Sequence, residues 1–173
     1  MRKFFFPLLL ATVTLVACST APKLSPEEQE AYKFADKLIE KMTLREKIGQ
    51  LQQFTTRTAA ITGPDGVKRD TEACIRNGEV GSFLSIRKTE EMLRLQKIAV
   101  EESRLGIPLI FGYDIIHGCR ITFPENLAVS CTWDIDAIEH SARIAALETA
   151  ATGIHWTFSP MCDFSAVPRW GRV

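Results

Sequence analysis

Ile107 to Pro124 reads I-P-L-I-F-G-Y-D-I-I-H-G-C-R-I-T-F-P, and the fold is decided there. An apolar run broken only by Pro108 (Ile107, then Leu109, Ile110 and Phe111) has the composition of a strand buried on both faces. Gly112 permits close backbone approach, Tyr113 and Asp114 follow, and Gly118 closes the segment after Ile115 and Ile116. A buried strand that ends in an acid between glycines is how an α/β protein presents a carboxylate at the carboxyl edge of its sheet, where ligands of such folds bind. Asp114 is therefore the first candidate for function. Spacing alone leaves open the plainer role of turn former or helix N-cap. His117, a lone histidine in a glycine-containing loop, reads as a capping or packing residue. With no Cys or His at ligand spacing nearby, no metal is expected.

Working backwards, Gly106 terminates a helix from Thr89, which can cap it, to Leu105; Met92, Leu95, Ile98, Ala99 and Val100 face inward at helical spacing. Val80 to Ile86 is the strand before it, and Thr71 to Arg76 a short helix ended by Asn77-Gly78. Gly63-Pro64-Asp65-Gly66 marks a loop, and a first strand is expected at Leu51 to Phe54. Thr43 and Glu46 form a capping box for a short helix. Ser25-Pro26-Glu27-Glu28 opens a longer one to about Met42, with Ala31, Phe34, Ala35, Leu38 and Ile39 as its apolar stripe.

Working forwards, the chain is irregular after Pro124 until Asp134 caps a helix to about Thr152. Its inner positions are Ile138, Ala142, Ala145, Ala146 and Thr149, and Gly153 stops it. Ile154 to Phe158 is a fourth strand ending at Ser159-Pro160, with His155 a packed or hydrogen-bonded core residue. Strand and helix in alternation, with turn glycines at the helix exits, is the pattern of βα units in a parallel sheet. The fold class is α/β: about four βα units, where a closed (β/α) barrel has eight strands and about 250 residues.

The chain has 173 residues, 46% of them hydrophobic, and 21 basic residues against 21 acidic. No basic patch interleaved with aromatics appears, so nucleic acid is not an expected partner. Residues 1–17 read as an export signal: Arg2 and Lys3 are its charged start and Phe4 to Val16 its apolar stretch. Leu15-Val16-Ala17-Cys18 looks like a bacterial lipoprotein processing box, in which Cys18 carries the lipid; an ordinary signal cut after Ala17 is the alternative. Residues 18–26 are a tether and 27–173 the domain. The remaining Cys74, Cys119, Cys131 and Cys162 form no C-x-x-C pair and read as small buried hydrophobes.

The chain ends M-C-D-F-S-A-V-P-R-W-G-R-V at 161–173. Arg169, Trp170 and Arg172 give a rigid loop an aromatic face and two forked cations, equipment for stacking on a sugar ring and donating to its hydroxyls. A structural arginine paired with a nearby acid fits the same composition. Asp163, also at a strand end, would on spacing alone pair with Asp114 as acid and base.

Five ordered blocks carry a resemblance: M-T-L-R-E-K-I-G-Q-L at 42–51, I-P-L-I-F-G-Y-D-I-I-H-G at 107–118, F-P at 123–124, T-W-D at 132–134 and P-R-W-G-R at 168–172. Together they resemble the N-terminal half-barrel of glycoside hydrolase family 3, nearest its exported bacterial β-glucosidase branch. The resemblance implies a partial TIM-type barrel and retaining hydrolysis of terminal non-reducing β-D-glucosyl residues, with β-glucosides or oligosaccharides as substrates and no cofactor. It implies that Asp114 accepts hydrogen bonds from hydroxyls of the terminal sugar and that Arg172 donates to the same ring, so neither breaks the bond and Asp163 has no assigned part. Asp in the block at 114, where Glu would suggest a xylosidase, favours a glucosidase.

The sequence departs from the family pattern at Val167, where an acid usually precedes the proline. The family's nucleophilic Asp, its Lys-His pair and its acid/base Glu are expected beyond residue 173. The expectation is thus a chain without catalytic carboxylates, inactive alone, its last strand an unpaired edge. The alternative is a non-catalytic, surface-tethered glycan-binding lipoprotein.

Overall fold

The computed structural model describes residues 24–55, 70–161, 166–167 and 169. They belong to two compact units, Met1–Lys41 and Met42–Val173. The first holds helix α1, Pro26–Lys41. Its start is closed reciprocally: the Glu28 amide donates to Ser25 Oγ at 3.2 Å and the Ser25 amide to Glu28 Oε2 at 2.7 Å. That backbone bond holds the Glu28 carboxyl below its usual range. No residue of α1 is buried, and Phe34 and Ile39 of the expected stripe are exposed, because its unit offers no second described element to cover them.

The second unit runs α2 (Leu44–Gln50), β1 (Gln53–Thr55), α3 (Thr71–Arg76), β2 (Ser82–Leu84), α4 (Thr89–Glu102), β3 (Ile110–Tyr113), α5 (Asn126–Ser130), α6 (Ile135–Thr152) and β4 (Trp156–Thr157). The strands are parallel in the order β1-β2-β3-β4, so every strand enters on one edge of the sheet and leaves on the other. Register places Phe54, Phe83 and Phe111 side by side on one face, with ring centroids 6.0 and 6.2 Å apart. Helices α3 and α4 add Ile75, Met92, Leu95, Ile98 and Ala99 to that core. A fully buried ring such as Phe83 contributes about 2–3 kcal/mol by removal from water.

The opposite face is different. Gln53, Thr55, Ser82, Leu84, Ile110 and Trp156 lie on it, and all are exposed or half-buried. The expectation of a β3 buried on both faces is therefore corrected: Ile110 is 48% exposed, because among the described residues helices cover only the phenylalanine face. Val100 of α4 also points outward, one step off the buried stripe of Met92, Leu95, Ile98 and Ala99.

Strand ends and caps shift as well. Ile107 to Leu109 precede β3, since ladder pairing begins at Ile110. Lys88 is the N-cap of α4; the Thr89 hydroxyl instead donates to the Thr152 carbonyl at 3.2 Å, tying α4 to the end of α6. The stretch after Pro124, read as irregular, contains α5. Asp134 caps α6 as expected, accepting from the Ala137 amide, and Gly153 ends it with a φ of 90°. Cys74 is buried, whereas Cys131 is exposed on the turn after α5, not the small core residue expected; Cys162 lies outside the described residues.

On the entry side of the sheet, α2 is locked down twice. Gly49 lies so close to the turn after α3 that a Cβ there would meet the Gly78 carbonyl oxygen at 2.0 Å. Glu46, 8% exposed, completes the capping box with Thr43 and takes a two-pronged bond from Arg104, Nε at 2.9 Å and an Nη at 2.6 Å. The Arg104 bonds first, and those from Thr43 next, lower the Glu46 carboxyl from the usual 4.5 to about 2. A carboxylate with a depressed folded pKa stabilises fully above its unfolded value and loses that stabilisation as pH falls through the folded one. Unfolding midpoints in urea should therefore drop between about pH 4.5 and pH 2 more steeply in the wild type than in Glu46→Gln. Equal slopes would remove Glu46 from the acid sensitivity.

Candidate active-site rim

Asp114 is the first residue past β3, on the edge where all four strands end. The main chain turns tightly about it: the Ile115 amide donates to the Tyr113 carbonyl at 3.1 Å, a three-residue turn with Asp114 at its centre. The same carbonyl accepts from the Phe158 amide at 3.3 Å, joining the turn to the end of β4. On the far side Ile115 is buried, and the Ser159 hydroxyl donates to its carbonyl oxygen. Both neighbours of Asp114 are thus held, while its own side chain is exposed. Among the described residues that carboxylate has no hydrogen-bond or ion-pair partner. Nor is Asp114 a helix N-cap, since α5 starts twelve residues later with Glu125 in that place.

The segment beyond closes on itself. The Phe123 amide donates to the His117 carbonyl at 2.7 Å, and His117 Nδ1 lies 2.9 Å from the Phe123 carbonyl. A carbonyl only accepts, so Nδ1 carries the proton and His117 acts as a loop clasp, in keeping with its reading as a capping residue. Gly118 makes the clasp possible: its φ is 114°, and a Cβ would fall 2.0 Å from the Ile121 carbonyl oxygen.

A cavity of about 550 Å³ opens between this loop and the α6 positions Ile138, Ala142 and Ala146. Those three were expected on the inner face of α6, yet only Ala145 and Thr149 of that set are buried. Apolar groups dominate its walls, which suits packing better than binding sugar hydroxyls.

Arg87 is the feature that sequence reasoning missed. It follows β2, and its Nε donates to the Tyr113 hydroxyl at 2.7 Å while its guanidinium lies 5.9 Å from the ring centroid. The available signal was positional: Leu84 pairs with Gly112, so residues just past both strands share one rim. His155 precedes β4 and is exposed, not a core residue, although it is bonded and stacked: its Nδ1 accepts from the Phe111 amide at 3.2 Å and its ring lies 5.7 Å from that of Phe111. Arg169 is described and exposed. Trp170, Arg172, Asp163 and Cys18 lie outside the described residues.

Parallel βα units in sequential strand order form a portion of a TIM-type barrel, with Asp114 on the edge where the strands end. Residues 43–173 match the glycosyl hydrolase family 3 N terminal domain, and the chain belongs to that family. It is 38% identical over 150 residues to the periplasmic beta-glucosidase of Salmonella typhimurium, covering 87% of this chain and 19% of the relative. It is 30% identical to the periplasmic beta-glucosidase/beta-xylosidase of Dickeya chrysanthemi, covering 87% of this chain and 27% of that one. Among solved structures it is similar to a beta-glucosidase from Listeria innocua in complex with isofagomine. There the TM-score is 0.67 at 36% identity, covering 86% of this chain and 20% of that one. A variant of the Listeria enzyme in complex with laminaribiose gives a TM-score of 0.64 at 32% identity, over 86% of this chain and 21% of that one. The chain spans about a fifth to a quarter of the length of these relatives.

Gly118→Ala should force the left-handed backbone and the Ile121 clash together, lowering unfolding stability in urea by about 2–3 kcal/mol. Amide exchange at Phe123 should accelerate in the same variant, because the clasp to His117 opens. An unchanged midpoint would show that the loop closes without the glycine.

Proposed function

We propose that this chain is the sugar-holding part of a β-glucosidase-like glycoside hydrolase that acts on terminal β-D-glucosyl residues. The observation that carries the reading is Asp114: a carboxylate held rigidly by the backbone on either side, yet itself unengaged among the described residues. A carboxylate so placed accepts two sugar hydroxyls at once, and charged acceptors make the stronger hydrogen bonds. Relatives named beta-glucosidases, and a Listeria beta-glucosidase seen with glucose, support glucoside as the ligand class. On this reading Arg172 donates to the same ring, with Trp170 and Arg169 flanking it. The reaction class is retaining hydrolysis. One carboxylate attacks the anomeric carbon, an acid protonates the leaving oxygen, and water releases the sugar. Asp114 and Arg172 bind at that subsite and do neither step, so the part assigned to them is binding without cleavage. Binding without cleavage is also the behaviour of a tethered glycan-binding lipoprotein, the second reading.

Calorimetric titration of the pure chain with glucose or cellobiose should show millimolar binding. Asp114→Ala should weaken it about ten- to a hundredfold, the loss of one or two charge-assisted hydrogen bonds. No heat at millimolar sugar would overturn the sugar-holding role. Release of p-nitrophenol from the β-glucoside by the chain, absent in Asp114→Ala, would instead overturn the division between binding and chemistry.

The organisation that goes with this reading is an exported precursor, with residues 1–17 its signal, 18–26 a tether and 27–173 the domain. Arg2, Lys3, the apolar Phe4 to Val16 stretch and the Leu15-Val16-Ala17-Cys18 box support it, as do relatives named periplasmic. Membrane attachment is then through lipid on Cys18 alone. Labelled fatty acid should appear on the protein in cells and vanish in Cys18→Ala; an unlabelled wild type would leave a plain secretory signal.

A further inference from the structure

We propose that Arg87 is a positioning residue for Asp114, a cation that clamps the strand end from which the carboxylate is presented. The proposal rests on the sugar-holding reading of Asp114 given above.

The clamp begins with an unusual turn. Immediately after β2, Ser85 donates its amide to the Gly112 carbonyl at 3.0 Å and adopts a φ of 65°, a conformation that residues with a Cβ adopt sparingly. Strain of this kind persists where surrounding contacts impose it and gathers at functional sites. Here its effect can be followed along the chain. Ile86 is turned into the core at 2% exposure, and Arg87 reaches across to β3.

On β3 the guanidinium takes Tyr113 at the tip of its ring. Nε donates to the phenol oxygen, with the guanidinium carbon 5.9 Å from the ring centroid. Tyr113 is thereby fixed at its tip by Arg87, and at its carbonyl by the Ile115 and Phe158 amides. Asp114 is the next residue, so rotation of its backbone requires Tyr113 to move. Arg45, Arg76, Arg94, Arg104 and Arg143 all engage glutamates. Arg87 bonds instead to a neutral phenol. It leaves its positive charge without a carboxylate partner among the described residues, on the rim that carries Asp114. An arginine needed only to join two elements would be expected to take a carboxylate, as those five do.

The test is cellobiose affinity by calorimetry on the full chain, for Arg87→Ala, Arg87→Lys, Tyr113→Phe, Arg87→Ala with Tyr113→Phe, and Asp114→Ala. Urea midpoints confirm that each variant is folded. Arg87→Ala should weaken binding roughly five- to tenfold, and the double variant no further, because the two side chains act as one unit. Arg87→Lys should recover part of the loss, since an ammonium can still donate to the phenol oxygen but lacks the planar fork. Unchanged affinity in Arg87→Ala beside lost binding in Asp114→Ala would overturn the positioning role and leave the sugar-holding reading intact. Single losses that add in the double variant, or no recovery with lysine, would also overturn it. Wild-type affinity in Asp114→Ala would remove the sugar-holding reading, and Arg87 with it.

Discussion

Register between the strands, set by Phe54, Phe83 and Phe111, is the constraint on which the remaining structure depends. Side chains on a strand alternate between faces, so a slip of one residue in any pair would exchange a buried phenylalanine for a residue such as Ser82 or Gly112. Phe83 and Phe111 are almost wholly buried against α3 and α4, and Phe54 packs at the margin of the same core. Two rings buried at about 2–3 kcal/mol each outweigh what any single ladder hydrogen bond contributes, about 1 kcal/mol net. The rings therefore choose the register. Register in turn decides that Leu84 and Gly112 stand side by side, and hence that the residues following β2 and β3 emerge on one rim.

The two edges of the sheet are built to opposite specifications. On the entry edge, Glu46 has both oxygens occupied by Arg104 and Thr43, and Gly49 touches the Gly78 carbonyl with no room for a methyl group. On the exit edge, backbone groups are bonded and side-chain charge is left over: Asp114 has no partner among the described residues, and Arg87 spends one N–H on a phenol. In barrels of parallel βα units the exit edge carries ligands and the entry edge carries stability. A saturated carboxylate at 46 and an unsaturated one at 114 follow that division.

Legibility in the sequence tracked the distance over which each interaction acts. The capping box of Thr43 with Glu46, the Asp134 cap and the helix over Thr71–Arg76 are decided within a few residues, and they stand where the pattern put them. Asp114 was legible for a related reason, since an apolar run that ends in an acid between glycines describes a strand and its exit loop locally. Strand extents were not. Ladders of only two to four residues depend on what the neighbouring strand offers, so Ile107 to Leu109 carry strand composition without strand pairing. The exposure of Ile110 and Trp156 depends on what covers a whole face of the sheet, which no run of residues encodes. Arg87 and Tyr113, 26 positions apart, meet through register alone. The resemblance to the family rested on blocks that include Tyr113 but not Arg87, and so supplied the fold without the clamp.

On the proposed reading the rim holds a sugar without attacking it, which is a definite task in glycoside hydrolysis. Bond-breaking requires the anomeric carbon to be held about 3–3.5 Å from its attacking group, and a misplacement of about 1 Å can cost about a hundredfold in rate. Holding a pyranose by its hydroxyls serves that end only if the holding group is itself immobile. An aspartate has few rotatable bonds, so its precision is inherited from its backbone. At Asp114 that backbone is fixed by Tyr113 before it and Ile115 after it, each tied in turn to a neighbouring strand end. Rigidity borrowed from both neighbouring strands leaves the carboxylate free to point and the main chain unable to drift, and that combination supports the binding role proposed for Asp114.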